Sequence, residues 1–234
     1  MEFYGLSLIL GLAAAMLQLR AMEVGYDHKG LFGWSTPSAV LMLLLGAVFA
    51  AVLAGMTMKK LRPESPYAEA FPRGWFRGSL MALGGAMLAL DLYYTPGSVP
   101  AAMAVRCLGY AAAAGMAVCG VYTVLGLRPS PVFHGIVCVY ALCDLLLCYR
   151  EWGASSHLEQ YLFSMLSSLL LMLYSFHRCA ADAGVIRCRR LAMTGFGAVF
   201  CSLAALTDPG DKVFCLAVSI WIMGSMCSLQ PREK

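Results

Sequence analysis

Eight stretches of this 234-residue chain are apolar over nearly the length a helix needs to cross a bilayer. They cover residues 3–19, 37–58, 76–94, 101–126, 132–149, 158–176, 191–206 and 213–229. A hydrocarbon core about 30 Å thick calls for about 20 mostly apolar residues at a rise of 1.5 Å each. The segments left between the runs are too short to build a separate aqueous core. The runs are continuous and rich in Leu, Ala, Met and Gly, not alternating, which selects helices over a membrane barrel. The expected fold is therefore all-α, a polytopic transmembrane helix bundle, with residues 1–234 forming one integral membrane domain.

Composition points the same way. Hydrophobic residues make up 60% of the chain and charged residues 13%, and the mean hydropathy is +0.72. Soluble domains carry roughly 25% charged residues. Too little polar surface remains to coat a water-soluble globule, which excludes a soluble enzyme, a nucleic-acid binder and a disordered tail.

The basic residues set the expected threading. With eight crossings, Lys59, Lys60, Arg62, Arg73, Arg77, Arg128, Arg178, Arg187, Arg189, Arg190, Arg232 and Lys234 fall on one side. Arg20, Lys29, Arg150 and Lys212 fall on the other, and Arg106 lies inside a run. Basic residues are retained in the cytosol, so both termini are expected to be cytoplasmic and the location the plasma membrane. The first segment is short and has no Lys or Arg before it, unlike a signal peptide, so it is expected to be retained. If it fails to cross, seven spans remain and the rest threads unchanged.

The 59–77 loop joins five basic residues to Pro63, Pro66, Pro72, Tyr67, Phe71, Trp75 and Phe76, and the 178–190 segment carries four more basic residues. These loops read as topology anchors with interfacial aromatics, or as a docking surface for anionic lipid or a cytosolic partner. Of the ten cysteines, eight fall within runs, while Cys179 and Cys188 fall in the basic loop. No CxxC pair occurs. They read as small apolar side chains, not as a disulfide framework.

Two patterns bear on packing. Ala47, Ala51 and Gly55 recur every four residues, and the fourth segment carries Gly109, Ala111 to Ala114, Gly115, Ala117 and Gly120. Small residues let helices approach in lipid, so the fourth segment is expected at the centre of the bundle. The third, fifth and seventh segments end in similar text (Ala89-Leu90-Asp91, Ala141-Leu142-Cys143-Asp144, Ala205-Leu206-Thr207-Asp208), as a duplicated helical hairpin would.

Ionisable residues inside a run each cost about 2.5–3.5 kcal/mol at the membrane centre on insertion scales, so they mark candidate sites. Asp91, Arg106 and Asp144 qualify. Helical spacing adds Tyr110 beside Arg106, and Tyr140 and Glu151 on the face of Asp144. One guanidinium between two carboxylates compensates charge, so an Arg106–Asp91/Asp144 cluster is expected at the base of an outward-facing cavity, rimmed by His157, Glu159 and Tyr161. It would serve as a site for a small polar solute or ion. The competing reading is an ion pair that fixes helix packing, or side chains reaching for the interface. His134 and His177, with Cys138 and Cys179 nearby, form a second pairing of metal-ligand types, but their spacing matches no ligand motif and ordinary interfacial histidines account for them. No metal and no cofactor is therefore expected.

No phosphate-binding P-loop, HExxH helix or GxSxG elbow occurs, and the last segments hold no mid-span lysine. The chain is accordingly not expected to be an enzyme. Gln160, Tyr161, Leu162 and Phe163, the run Leu171, Met172, Leu173 and Tyr174, and the Ala205-Leu206-Thr207-Asp208 ending resemble small multi-pass membrane proteins of anaerobic Gram-positive bacteria. The resemblance covers mainly the C-terminal half and implies a bacterial plasma membrane; that group carries no assigned activity, ligand or catalytic residue. Two functions follow as expectations: a small-solute transporter or membrane solute-binding subunit, and a non-catalytic membrane sensor or assembly subunit. The partners are membrane lipids, a small polar solute or ion, and a cytosolic protein at the basic loops.

Overall fold

The structure, a computed structural model, describes residues 2–24, 37–60, 67–94, 100–152, 161–208 and 212–226. Among these the regular elements are all helical: α1 (Glu2–Val24), α2 (Pro37–Lys60), the single turn α3 (Tyr67–Ala70), α4 (Trp75–Tyr94), α5 (Pro100–Leu125), α6 (Pro131–Trp152), α7 (Leu162–Asp182), α8 (Cys188–Ala204) and α9 (Lys212–Ser225). A 3₁₀ turn, Ala205–Thr207, extends α8. Each apolar run of the sequence overlaps one long helix. Four helical stretches are long and apolar enough to cross a membrane: Met103–Leu125, Pro131–Arg150, Leu162–Asp182 and Cys188–Thr207. Ser7–Arg20, Leu44–Gly55 and Lys212–Ser225 are shorter apolar helices.

Local chemistry sets the helix ends. Proline opens α2, α5 and α6, where its missing N–H has no helical acceptor to lose. Gly126 and Gly184 close α5 and α7 at positive φ, and the N–H groups of Leu127 and Val185 fold back onto the carbonyls of Tyr122 and Ala180. Such left-handed caps favour glycine.

Six helices form a closed ring in chain order, α4–α5–α6–α7–α8–α9, with α9 returning to α4. It is built from three successive hairpins, α4–α5, α6–α7 and α8–α9, whose first arms are the segments that end in similar text. Glycines set the closest approaches. A Cβ on Gly78 would lie 2.5 Å from the carbonyl oxygen of Gly120, and one on Gly85 2.6 Å from that of Ala113, so α4 and α5 touch backbone to backbone. On its other side Gly84 admits Trp221 of α9, whose Cβ would stand 2.7 Å from an added Cβ. Trp221 is fully buried and its ring also meets His134 of α6 and Tyr174 of α7, at 5.6 and 5.8 Å between centroids. A side chain that touches α4, α6 and α7 from α9 lies within the ring and fills its middle.

The helices α1 and α2 pack outside the ring along α8. That makes α8 the most enclosed of the long helices, with 12 of its 17 residues buried. The fourth segment, α5, is thus a ring member and not the centre. Its small residues serve α4 and α6, while Ala111 and Ala114 face outward. The Ala47, Ala51 and Gly55 stripe of α2 is likewise exposed; the neighbouring Phe49 and Leu53 are buried instead, with Phe49 stacked on Phe200 at 4.4 Å.

Candidate functional site

The three helices that carry the sequence-derived site converge at Gly109. A Cβ there would lie 2.7 Å from Leu92 of α4 and 2.9 Å from the Tyr140 ring of α6. Asp91, Arg106 and Asp144 are half-buried, Tyr140 is buried and Tyr110 is exposed. Arg106 donates from Nη2 to the carbonyl of Tyr93 at 3.1 Å, satisfying an acceptor in the last turn of α4. Tyr161 is half-buried at the N-cap of α7. His157, Glu159 and the side chain of Glu151 lie outside the described residues.

A second polar cluster sits at the opposite end of the ring. The exposed Arg73, Arg128, Arg187 and Arg190 mark this end, called here the basic end. Arg178 and Asp182 are one turn apart on α7, and their side chains are almost wholly buried. Nη1 of Arg178 stands 3.3 Å from Oδ1 of Asp182, and Nδ1 of His134 stands 2.6 Å from Oδ2. Tyr67 donates its phenol to Oδ1 at 3.1 Å and accepts from Nη2 of Arg178 at 3.4 Å. Burial pushes the Tyr67 phenol above its usual pKa although Arg178 pulls it the other way, so the phenol keeps the proton it donates. Phe71 covers the guanidinium face, 3.5 Å from Cζ to the ring centroid. Arg128 donates to the carbonyls of Asp182 and Ala181, at 2.6 and 3.5 Å, and so caps α7 from the α5–α6 connection. Arg77 does the same for α9, donating to the carbonyls of Gly224 and Met226. Counting Arg106 of α5, which binds the end of α4, three arginines hold the C-terminal carbonyls of neighbouring helices, where the helix dipole favours a cation.

His134 is fully buried, yet its Nε2 has no partner among the described residues, and neither has Nε1 of Trp221 beside it. Cys119 lies 3.7 Å from Nδ1 of the same histidine. His134 is therefore matched with Asp182, while His177 is half-buried and packs against Phe176. No group of three or more His, Cys, Asp or Glu among the described residues could hold a metal ion.

Sequence reasoning missed this cluster because it ended the sixth run at residue 176 and counted Arg178 with the basic loop. The helix continues through Asp182 to the Gly184 cap. The available signal was the i,i+4 pairing of Arg178 with Asp182 just before a glycine.

A further carboxylate, Asp208, lies just past the end of the seventh run and is completely buried. It accepts from the Ser164 backbone N–H at 2.9 Å, from the Ser164 hydroxyl at 2.8 Å and from the Gln18 amide. It thereby satisfies an open donor in the first turn of α7 from a different helix. No protein-family model matches the chain, and neither a curated protein nor a solved structure does.

Proposed function

We propose that this chain is a multi-pass integral membrane protein, with eight crossings and both termini in the cytosol, that takes a small polar solute or ion into its helical ring. The site is the pair of polar stations at the two ends of α6. One is Asp144, with Asp91, Arg106, Tyr110, Tyr140 and Glu151. The other is His134, with Asp182 and Arg178. His134 and Asp144 are ten residues apart, or about 15 Å along the helix.

The observation that carries this reading is the unpartnered polar edge inside the ring. Buried polar atoms are nearly always hydrogen-bonded, and Nε2 of His134 and Nε1 of Trp221 are not. Two ring nitrogens on adjacent side chains in the middle of a helical ring call for a polar guest, whether water, an ion or a small solute. A small-solute transporter or a solute-binding membrane subunit of the plasma membrane fits that demand.

The test is a thermal-shift screen of detergent-purified protein against small polar solutes and inorganic ions, followed by uptake into proteoliposomes. A compound that stabilises the wild type should lose its effect in Arg106→Ala and in His134→Ala. A screen with no stabilising compound and no uptake would remove the reading.

A non-catalytic sensor or assembly subunit is the second reading. Its support is the clamp of Tyr67 and Phe71 on Arg178, which ties the 67–71 segment to the ring beside the exposed arginines. Anionic lipid or a cytosolic partner would act there by pulling on that clamp.

A further inference from the structure

We infer that Cys138 and Cys179 form a dithiol between α6 and α7 that oxidises to an interhelical disulfide next to the His134–Asp182 contact. The register of the two antiparallel helices carries this. His134 meets Asp182 at 2.6 Å, which fixes the faces that α6 and α7 turn toward each other. Cys138 is four residues after His134, and Cys179 is three residues before Asp182. Each cysteine therefore shares the facing surface of its own helix, one turn further from the helix ends.

Gly135 brings the helices together at this level: a Cβ there would lie 3.9 Å from Sγ of Cys179. Cys138 follows Gly135 by three residues, one helical turn along the same contact. Both are free and partly exposed, unlike Cys119, Cys188, Cys201 and Cys215, which are buried. They lie about 4.5 and 10.5 Å, respectively for Cys179 and Cys138, from the ends of their helices at the basic end, within reach of a small reagent.

The oxidant is a low-molecular-weight disulfide. The thiolate of one cysteine attacks a sulfur of the reagent, forming a mixed disulfide and releasing one reagent thiol. The second cysteine, losing its proton, attacks the protein sulfur of that bond. The Cys138–Cys179 bond forms and a second reagent thiol leaves, so two electrons and two protons pass from the cysteines to the reagent. The product staples α6 to α7 one turn from Asp182 and fixes the relative position of the two helices that hold the buried cluster.

The experiment treats the full-length protein in liposomes with 2,2′-dithiodipyridine, blocks remaining thiols by alkylation and identifies linked peptides by mass spectrometry. The expected result is a Cys138–Cys179 link as the dominant product, released by reductant, with the second equivalent of pyridinethione appearing faster than in Cys138→Ser or Cys179→Ser. Recovery of both cysteines as separate mixed disulfides in the wild type overturns the proposal. So does a dominant link to any other cysteine. The wild-type measurement needs no variant to fold.

Discussion

The two ends of α7 each bury a carboxylate, and they satisfy it by opposite means. At the basic end Asp182 is matched by the cation of Arg178, by His134 and by the Tyr67 phenol. At the other end Asp208 is matched by uncharged donors, the amide of Gln18 and the N–H and hydroxyl of Ser164. The sites are about 27 Å apart along one helix, as the spacing of Ser164 and Asp182 gives. Around Asp182, Nε2 of His134 and Nε of Arg178 are left without partners; at Asp208 the amide of Gln18 and both Ser164 donors go to the carboxylate, and the Gln18 Oε1 acceptor is the atom left over. The first arrangement holds charge in balance and retains capacity to bind. The second closes a helix end and ties α1, α7 and the end of α8 together.

The largest effect should come from unbalancing the charged end. Asp182→Asn leaves the Arg178 guanidinium buried without its counterion, and breaking a buried pair from one side costs about 3–5 kcal/mol. Apparent unfolding temperature in detergent should fall steeply for Asp182→Asn and recover in the double variant Arg178→Met/Asp182→Leu, which removes both charges. Equal losses in the single and double variants would show that the pair contributes packing alone.

A smaller effect is expected at the uncharged end. Ser164→Ala removes the hydroxyl donor to Asp208 but keeps the backbone N–H that caps α7. A hydrogen bond to a charged acceptor is worth about 1.5–3 kcal/mol, and one to a neutral acceptor about 0.5–1.5 kcal/mol. The same unfolding assay should place Ser164→Ala clearly above Asp182→Asn in stability. The reverse order would mean that the neutral end, not the charged one, holds the bundle together.

The helices were legible because membrane-grade apolar runs have few alternatives. Lipid requires every backbone group to be paired within the segment, so length and hydropathy locate the elements. Helix ends were less legible, and both missed carboxylates sit at ends. Asp182 and Asp208 look like loop acids because hydropathy falls off before the helix does. Their burial depends on Arg178 within the same turn and on Gln18 far away in sequence, and only the first leaves a local spacing. Asp91, Arg106 and Asp144 stood out because they interrupt apolar text, but the carbonyl of Tyr93 as an acceptor for Arg106 could not be read from side-chain types. Centrality was misjudged for a related reason: small residues report that a helix is approached closely, not from how many sides.

A further effect is a pH dependence belonging to the uncharged end. Burial raises the pKa of Asp208 from the usual carboxylate range to about 6, against the pull of its hydrogen bonds from Ser164 and Gln18. In the unfolded chain the same group titrates near 3.9. A carboxyl whose folded pKa is raised favours folding while the proton is held; that contribution is complete below about pH 4 and declines as pH rises through about 6. Between these values the apparent unfolding temperature of the wild type should therefore fall with rising pH, by more than that of Asp208→Asn, which has nothing to titrate there. Matched slopes in the two proteins would show that Asp208 is ionised throughout, and the three donors around it would then be holding a charge, as Arg178 does at the other end.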